Sequence, residues 1–189
     1  MAEVYLDKVP DDGVVWGMYG ACLGSMGCFA DARTALHTAR GLVASDENKV
    51  FVYRLIAELD EALGDYRSAE ALYREAARLL PTQGCWQLWL GVCLRRQGRD
   101  PEAEACYRKA LTLDGDRDEY LLNLGFILQA RGALADAAAC FSEALAIDPN
   151  YEPAKNSLAD VRRAIAFLQG SPDSLEQSAA DQSVEADEA

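Results

Sequence analysis

The chain has 189 residues, half of them hydrophobic, and its 31 acidic residues against 18 basic ones give a formal net charge of −13. That length suits one compact domain or one short repeat array. The acidity opposes binding to a phosphate backbone, which excludes nucleic acid as a partner, and no uninterrupted apolar run approaches the roughly 18 to 20 residues that a membrane-crossing helix needs, so no membrane insertion is expected.

Residues 1–12 carry Glu3, Asp7, Lys8, Asp11 and Asp12 and no apolar core, so they read as an N-terminal extension rather than a secretion signal. A cytoplasmic protein is expected. From Gly13 onward the chain aligns with itself at a period of 34, in windows 13–46, 50–83, 84–117 and 118–151. The first window places Trp16, Tyr19, Gly20, Leu23, Gly27, Ala32, Leu36 and Ala39 at positions 4, 7, 8, 11, 15, 20, 24 and 27. Glu47 to Lys49 then interrupt the period and predict a slightly longer turn. In the second window the same offsets hold Tyr53, Ile56, Ala57, Gly64, Ala69, Tyr73 and Ala76, with Asp60 in place of a large residue at position 11. The third holds Leu90, Gly91, Leu94, Gly98, Ala103, Tyr107 and Ala110, with Gln87 at position 4. Its Asp100-Pro101 reads as a helix cap followed by a first helical residue. The fourth is the most regular, with Leu121, Leu124, Gly125, Leu128, Gly132, Ala137, Phe141, Ala144 and Pro149.

Positions 4, 7, 8 and 11 share one side of a helix, and positions 20, 24 and 27 share one side of another, because spacings of three and four recur on a 3.6-residue turn. Two such faces pack together. Small residues at 8, 20 and 27 let the axes approach, and large ones at 4, 7, 11 and 24 fill the remaining space. Gly at position 15 in every window marks a helix stop that needs a left-handed residue. After the repeats, residues 152–169 predict a capping helix, with Ala154, Leu158, Val161, Ile165 and Leu168 on one side and Lys155, Asp160, Arg162 and Arg163 on the other. Residues 170–189 hold six acidic residues and no Lys, Arg or aromatic residue, a composition expected to form a disordered acidic tail.

The 34-residue pattern resembles the tetratricopeptide repeat (TPR). The resemblance implies an all-α, right-handed superhelical solenoid of helix-turn-helix hairpins that acts as a protein-binding scaffold. It further implies that positions 2, 5, 6, 9, 12 and 13 of each first helix line a concave groove. Those positions nominate Met18, Phe51, Arg54, Leu55, Leu88, Trp89, Val92, Arg95, Asn123 and Phe126 as a peptide-binding groove, an apolar strip with arginines at its margins. The expected partner is a protein or peptide with apolar anchors. Folding back of the termini, including Val4, Tyr5, Leu6 and Val9, or a second copy in a homodimer would also cover such a strip.

Two uses of this repeat can be compared with the groove. Co-chaperones that clamp the acidic C-terminus of heat-shock chaperones place Lys, Arg and Asn at inner positions, and the first repeat here has none. The small acidic chaperones of type III secretion translocators are similar in size and in an apolar inner face, which makes a chaperone for a hydrophobic client the alternative to an adaptor or scaffold.

Catalytic and metal-binding signals are weak. The six cysteines include no Cys-x-x-Cys pair, and His37 is the single histidine. Cys22 and Cys93 at position 10, with Cys106 and Cys140 at position 23, read as small buried hydrophobes, while Cys85 at position 2 faces the groove. No cofactor, metal or enzymatic activity is expected.

Overall fold

The structure, a computed structural model, describes residues 11–170. Most of the N-terminal extension and of the acidic tail therefore lies outside the described residues. The chain divides into two compact units, one ending at Asp116 and the other beginning at Arg117.

In the first unit, helices α1 (Gly13–Ser25) and α2 (Phe29–Leu42), α3 (Asp46–Ala62) and α4 (Tyr66–Leu79), and α5 (Cys85–Arg96) and α6 (Asp100–Ala110) form three hairpins. The second unit holds one further hairpin, α7 (Arg117–Ala130) with α8 (Leu134–Ile147), followed by α9 (Glu152–Leu168). No strand occurs among the described residues, and the one isolated bridge joins Gln83 to Asp114. There Asp114 accepts from the Gly84 amide at 2.7 Å and donates to the Thr82 carbonyl at 2.9 Å, tying two inter-hairpin turns together.

The four hairpin turns are built alike. Gly27, Gly64, Gly98 and Gly132 have φ of 80°, 78°, 74° and 78°, the left-handed region where a side chain is strained. Each closes the same paired-bond stop: Gly27 N to Gly24 O at 3.0 Å with Cys28 N to Leu23 O at 2.9 Å, and Gly98 N to Arg95 O at 2.9 Å with Arg99 N to Leu94 O at 3.0 Å. Orphan carbonyls at the helix end are thereby satisfied.

Packing within each hairpin follows the sequence offsets. Ala32, Ala69, Ala103 and Ala137 are fully buried, as are Ala39, Ala76, Ala110 and Ala144. A Cβ placed on Gly91 would lie 2.9 Å from both Cδ1 and Cζ of Tyr107, and one on Gly125 would lie 2.8 Å from Cζ of Phe141. Position 8 is thus the seat of the aromatic at position 24.

Three local expectations are corrected. Glu47 to Lys49 do not form a longer turn; they are the first turn of α3, because Ser45 caps it by accepting from the Asn48 amide at 3.2 Å and Asp46 and Glu47 suit the positive end of the helix dipole. Helix α6 begins at Asp100 itself, with Arg99 at the cap and Pro101 in the first turn. Cys22 also departs from its expected burial: it is exposed, whereas Cys93, at the same repeat position, is buried.

Candidate interaction surface

On the first unit, the inner positions of α1, α3 and α5 differ in how much surface they offer. Gly17 is buried because Leu55 Cδ1 would stand 3.3 Å from a Cβ there, so α3 approaches α1 closely. Leu55 is 7% exposed and Leu88 1% exposed; both belong to the core. Met18, by contrast, is 57% exposed. Phe51 is half-buried, with the Arg54 guanidinium 5.6 Å over its ring, and Arg54 forms an ion pair with Glu58 one turn later. Trp89 is half-buried and stacks on Tyr73, with ring centroids 6.4 Å apart and planes 24° from parallel. Val92 and Arg95 are also half-buried. The first unit therefore brings together Met18, Phe51, Arg54, Trp89, Val92 and Arg95 as partly exposed inner positions on three successive first helices.

In the second unit, α7 carries Asn123 and Phe126, each half-buried. Asn123 Nδ2 donates to the Glu119 carbonyl at 2.9 Å. Phe126 meets Phe141 edge-on at 5.7 Å, so its orientation is set by the core aromatic beneath it.

Beneath the inner positions of the first unit lies a hydrogen-bonded group. The Tyr73 hydroxyl donates to Glu61 Oε1 at 2.7 Å, and the Cys93 sulfur lies 3.7 Å from the same oxygen. Burial first, and then the Glu61 carboxylate, push both the Tyr73 hydroxyl and the Cys93 thiol well above their ordinary pKa. Cys93 is consequently no thiolate nucleophile. Asp60, the residue that replaces an apolar one at position 11, also has its pKa raised, by burial and by Asp65, with Arg33 opposing.

Away from these helices, Glu70 is 9% exposed and accepts from Gln97 Nε2 at 2.7 Å and from Arg99 at 2.7 Å, with Arg74 at 2.6 Å. This network ties α4 to the turn between α5 and α6. His37 is exposed on α2, and no group of three or more His, Cys, Asp or Glu side chains among the described residues could hold a metal ion. No helix among them is long and apolar enough to cross a membrane.

Residue-by-residue reading of the groove missed a cavity of about 240 Å³ between the first hairpin and α3. Its lining includes Ala21, Gly24 and Ser25 from α1 and Glu58 and Ala62 from α3, all at inner repeat positions. The signal was the run of small residues at those positions of the first repeat, where the third repeat carries Val92, Arg95 and Arg96.

Hairpins of this length, with a small residue at position 8 under a large one at position 24 and a left-handed glycine at position 15, define a tetratricopeptide-repeat protein. More narrowly, residues 53–166 match the family described as the cilia and flagella-associated protein 70 middle TPR-like domain, and the chain belongs to that family. Among solved structures it is similar to YrrB, a TPR protein with an unusual peptide-binding site, at a TM-score of 0.65 and 18% identity over 93% of this chain and 88% of that one. It is also similar to Pseudomonas aeruginosa pilF, at a TM-score of 0.70 and 19% identity over 89% of this chain and 73% of that one. The second TPR domain of human RPAP3, in complex with the HSP70 peptide SGPTIEEVD, matches at a TM-score of 0.57 and 17% identity over 62% of this chain and 98% of that one. At such identities the likeness shows the fold. No curated protein sequence matches the chain.

Proposed function

We propose that this protein is a cytoplasmic adaptor or scaffold whose inner helical face takes a partner peptide through apolar anchors, with arginines at the margin. The observation that carries the reading is the row of half-buried apolar side chains on successive first helices, Phe51, Trp89 and Val92, flanked by Arg54 and Arg95. Trp89 is held from below by the core ring of Tyr73 and is therefore pre-ordered, so a partner that covers it gains apolar burial without a large ordering cost. The reading extends to Leu55 and Leu88 as the frame of that face and to Met18 at its N-terminal margin; in the second unit, Asn123 and Phe126 on α7 are proposed as binding residues of that unit's own first helix. Solved TPR structures that hold peptides, such as human RPAP3 with its HSP70 peptide, support the class of function. They do not extend to an acidic C-terminal peptide here, because inner positions of the first repeat carry no Lys, Arg or Asn.

The experiment is affinity capture from the cells that make the protein, comparing wild type with a Met18→Glu, Val92→Glu variant. Met18 is exposed and Val92 is half-buried on the same face, so the helical fold should survive both changes. A protein held by wild type and lost from the helical variant is the expected result. Equal capture by both forms would contradict the reading. Whether the captured protein stays soluble alone separates adaptor from client chaperone.

A further inference from the structure

The cavity between the first hairpin and α3 stays open for a structural reason. Leu36 is pinned on Gly20, where a Cβ would meet its Cγ at 2.7 Å, and Leu55 is pinned over Gly17. Neither leucine can swing into the space without giving up its own contact, while Gly24 and Ala21 on the opposite side are too small to fill it. The space opens to solvent past Ser25, Phe29, Glu58 and Ala62, all exposed, so a side chain of a partner can enter it from outside. An engineered apolar cavity of ~150 Å³ already admits benzene, and this one holds about 240 Å³. Phe29, at its edge, is 41% exposed. The one ionisable side chain in the lining is Glu58.

We infer that this cavity seats one apolar side chain, up to the size of an indole, that adjoins a cationic group on the partner. The inference rests on the peptide-binding reading above and names the chemistry of one anchor. The apolar walls select the ring or branched chain. Glu58, whose side chain is 48% exposed, selects the charge: its present partner is Arg54, in an exposed pair of the kind that holds weakly, so an incoming cation can share or replace it. An anion would meet the Glu58 carboxylate at the mouth.

The test needs no partner protein, so its failure is separate from failure of the capture experiment. The full-length protein, carbon-13 labelled at leucine methyls, is titrated with indole, with tryptamine and with indole-3-propionate. Saturable shifts at Leu36, Leu55 and Leu59 are expected with indole. Tryptamine should bind about two- to fivefold more tightly, as for one exposed charge pair, and indole-3-propionate more weakly. Glu58→Gln should collapse that spread. Gly24→Leu should abolish the shifts by filling the space, and it should fold, because a Cβ at Gly24 meets Leu59 Cδ1 at an ordinary 3.6 Å. Ser25→Leu, at an exposed lining position, is the second filling variant should the first not fold. Absence of saturable shifts, or shifts that survive filling in a folded variant, would overturn the seat. Equal affinities for the three probes, or a spread unchanged in Glu58→Gln, would overturn the charge selection.

Discussion

The hydroxyl of Tyr73 donates to the Glu61 carboxylate across 2.7 Å, while the hydroxyl of Tyr107, the same position one repeat later, is buried with no hydrogen-bond partner. The reason is one residue. Position 12 is Glu61 in the second repeat, whose carboxylate accepts the Tyr73 proton, and Arg95 in the third, where no carboxylate stands to take it. Burial raises the Tyr107 hydroxyl to about 12, so it stays protonated and orphaned.

Paired and unpaired hydroxyls should therefore respond oppositely to removal. Tyr73→Phe is expected to cost about 1 to 3 kcal/mol in urea unfolding, since a buried bond to a charged acceptor is lost. Tyr107→Phe should be neutral or stabilising by up to about 1 kcal/mol, because it removes a desolvated group that has no partner. Equal losses in the two variants would contradict this account.

Glycines that look alike in sequence should separate by substitution. Gly91→Ala drives a methyl into the Tyr107 ring, and overpacking of this kind costs about 1 to 3 kcal/mol. Gly24→Ala meets only ordinary contacts and gains the helix propensity of alanine, so it should be neutral or stabilise by up to about 1 kcal/mol. Thermal melts of the two variants check both signs.

Acid should weaken the α4 network. Burial alone would raise the Glu70 carboxyl, but hydrogen bonds from Gln97 and Arg99 and the charges of Arg74 and Arg99 outweigh it and leave the pKa below the usual carboxylate value. A group whose folded pKa is depressed contributes stability above its unfolded pKa and loses it as pH falls through the folded one. Wild type should accordingly lose melting temperature below about pH 4.5, and Glu70→Gln should show a shallower acid limb with a lower plateau at neutral pH. Parallel acid limbs in the two proteins would count against the network.

Much of this fold was legible because each repeat restates the same steric problem. Alanines at positions 20 and 27 are fully buried in all four hairpins, and the glycine at position 15 is left-handed in all four. Contacts between repeats were less legible. Positions 3 and 10 are among the most buried on the later first helices, as with Val52 and Leu59, Trp86 and Cys93, or Ala154 and Val161, yet no small residue repeats there to announce them. Cys22 is exposed for the complementary reason, since no hairpin precedes α1 among the described residues. Within the inner face, sequence offsets named Phe51, Trp89 and Leu55 on equal terms. Packing separates them: Leu55 is drawn into the core by the missing side chain at Gly17, a pairing between repeats that no periodicity within a repeat contains.

The central claim is that the partner lies on the first helices of the hairpins rather than the second. Hydrogen exchange of the protein, alone and with the partner obtained by affinity capture, measures this face by face. The account predicts new protection concentrated in α1, α3 and α5, around Met18, Phe51 and Trp89. Protection confined to α2, α4 and α6, or none on the first unit, would contradict it.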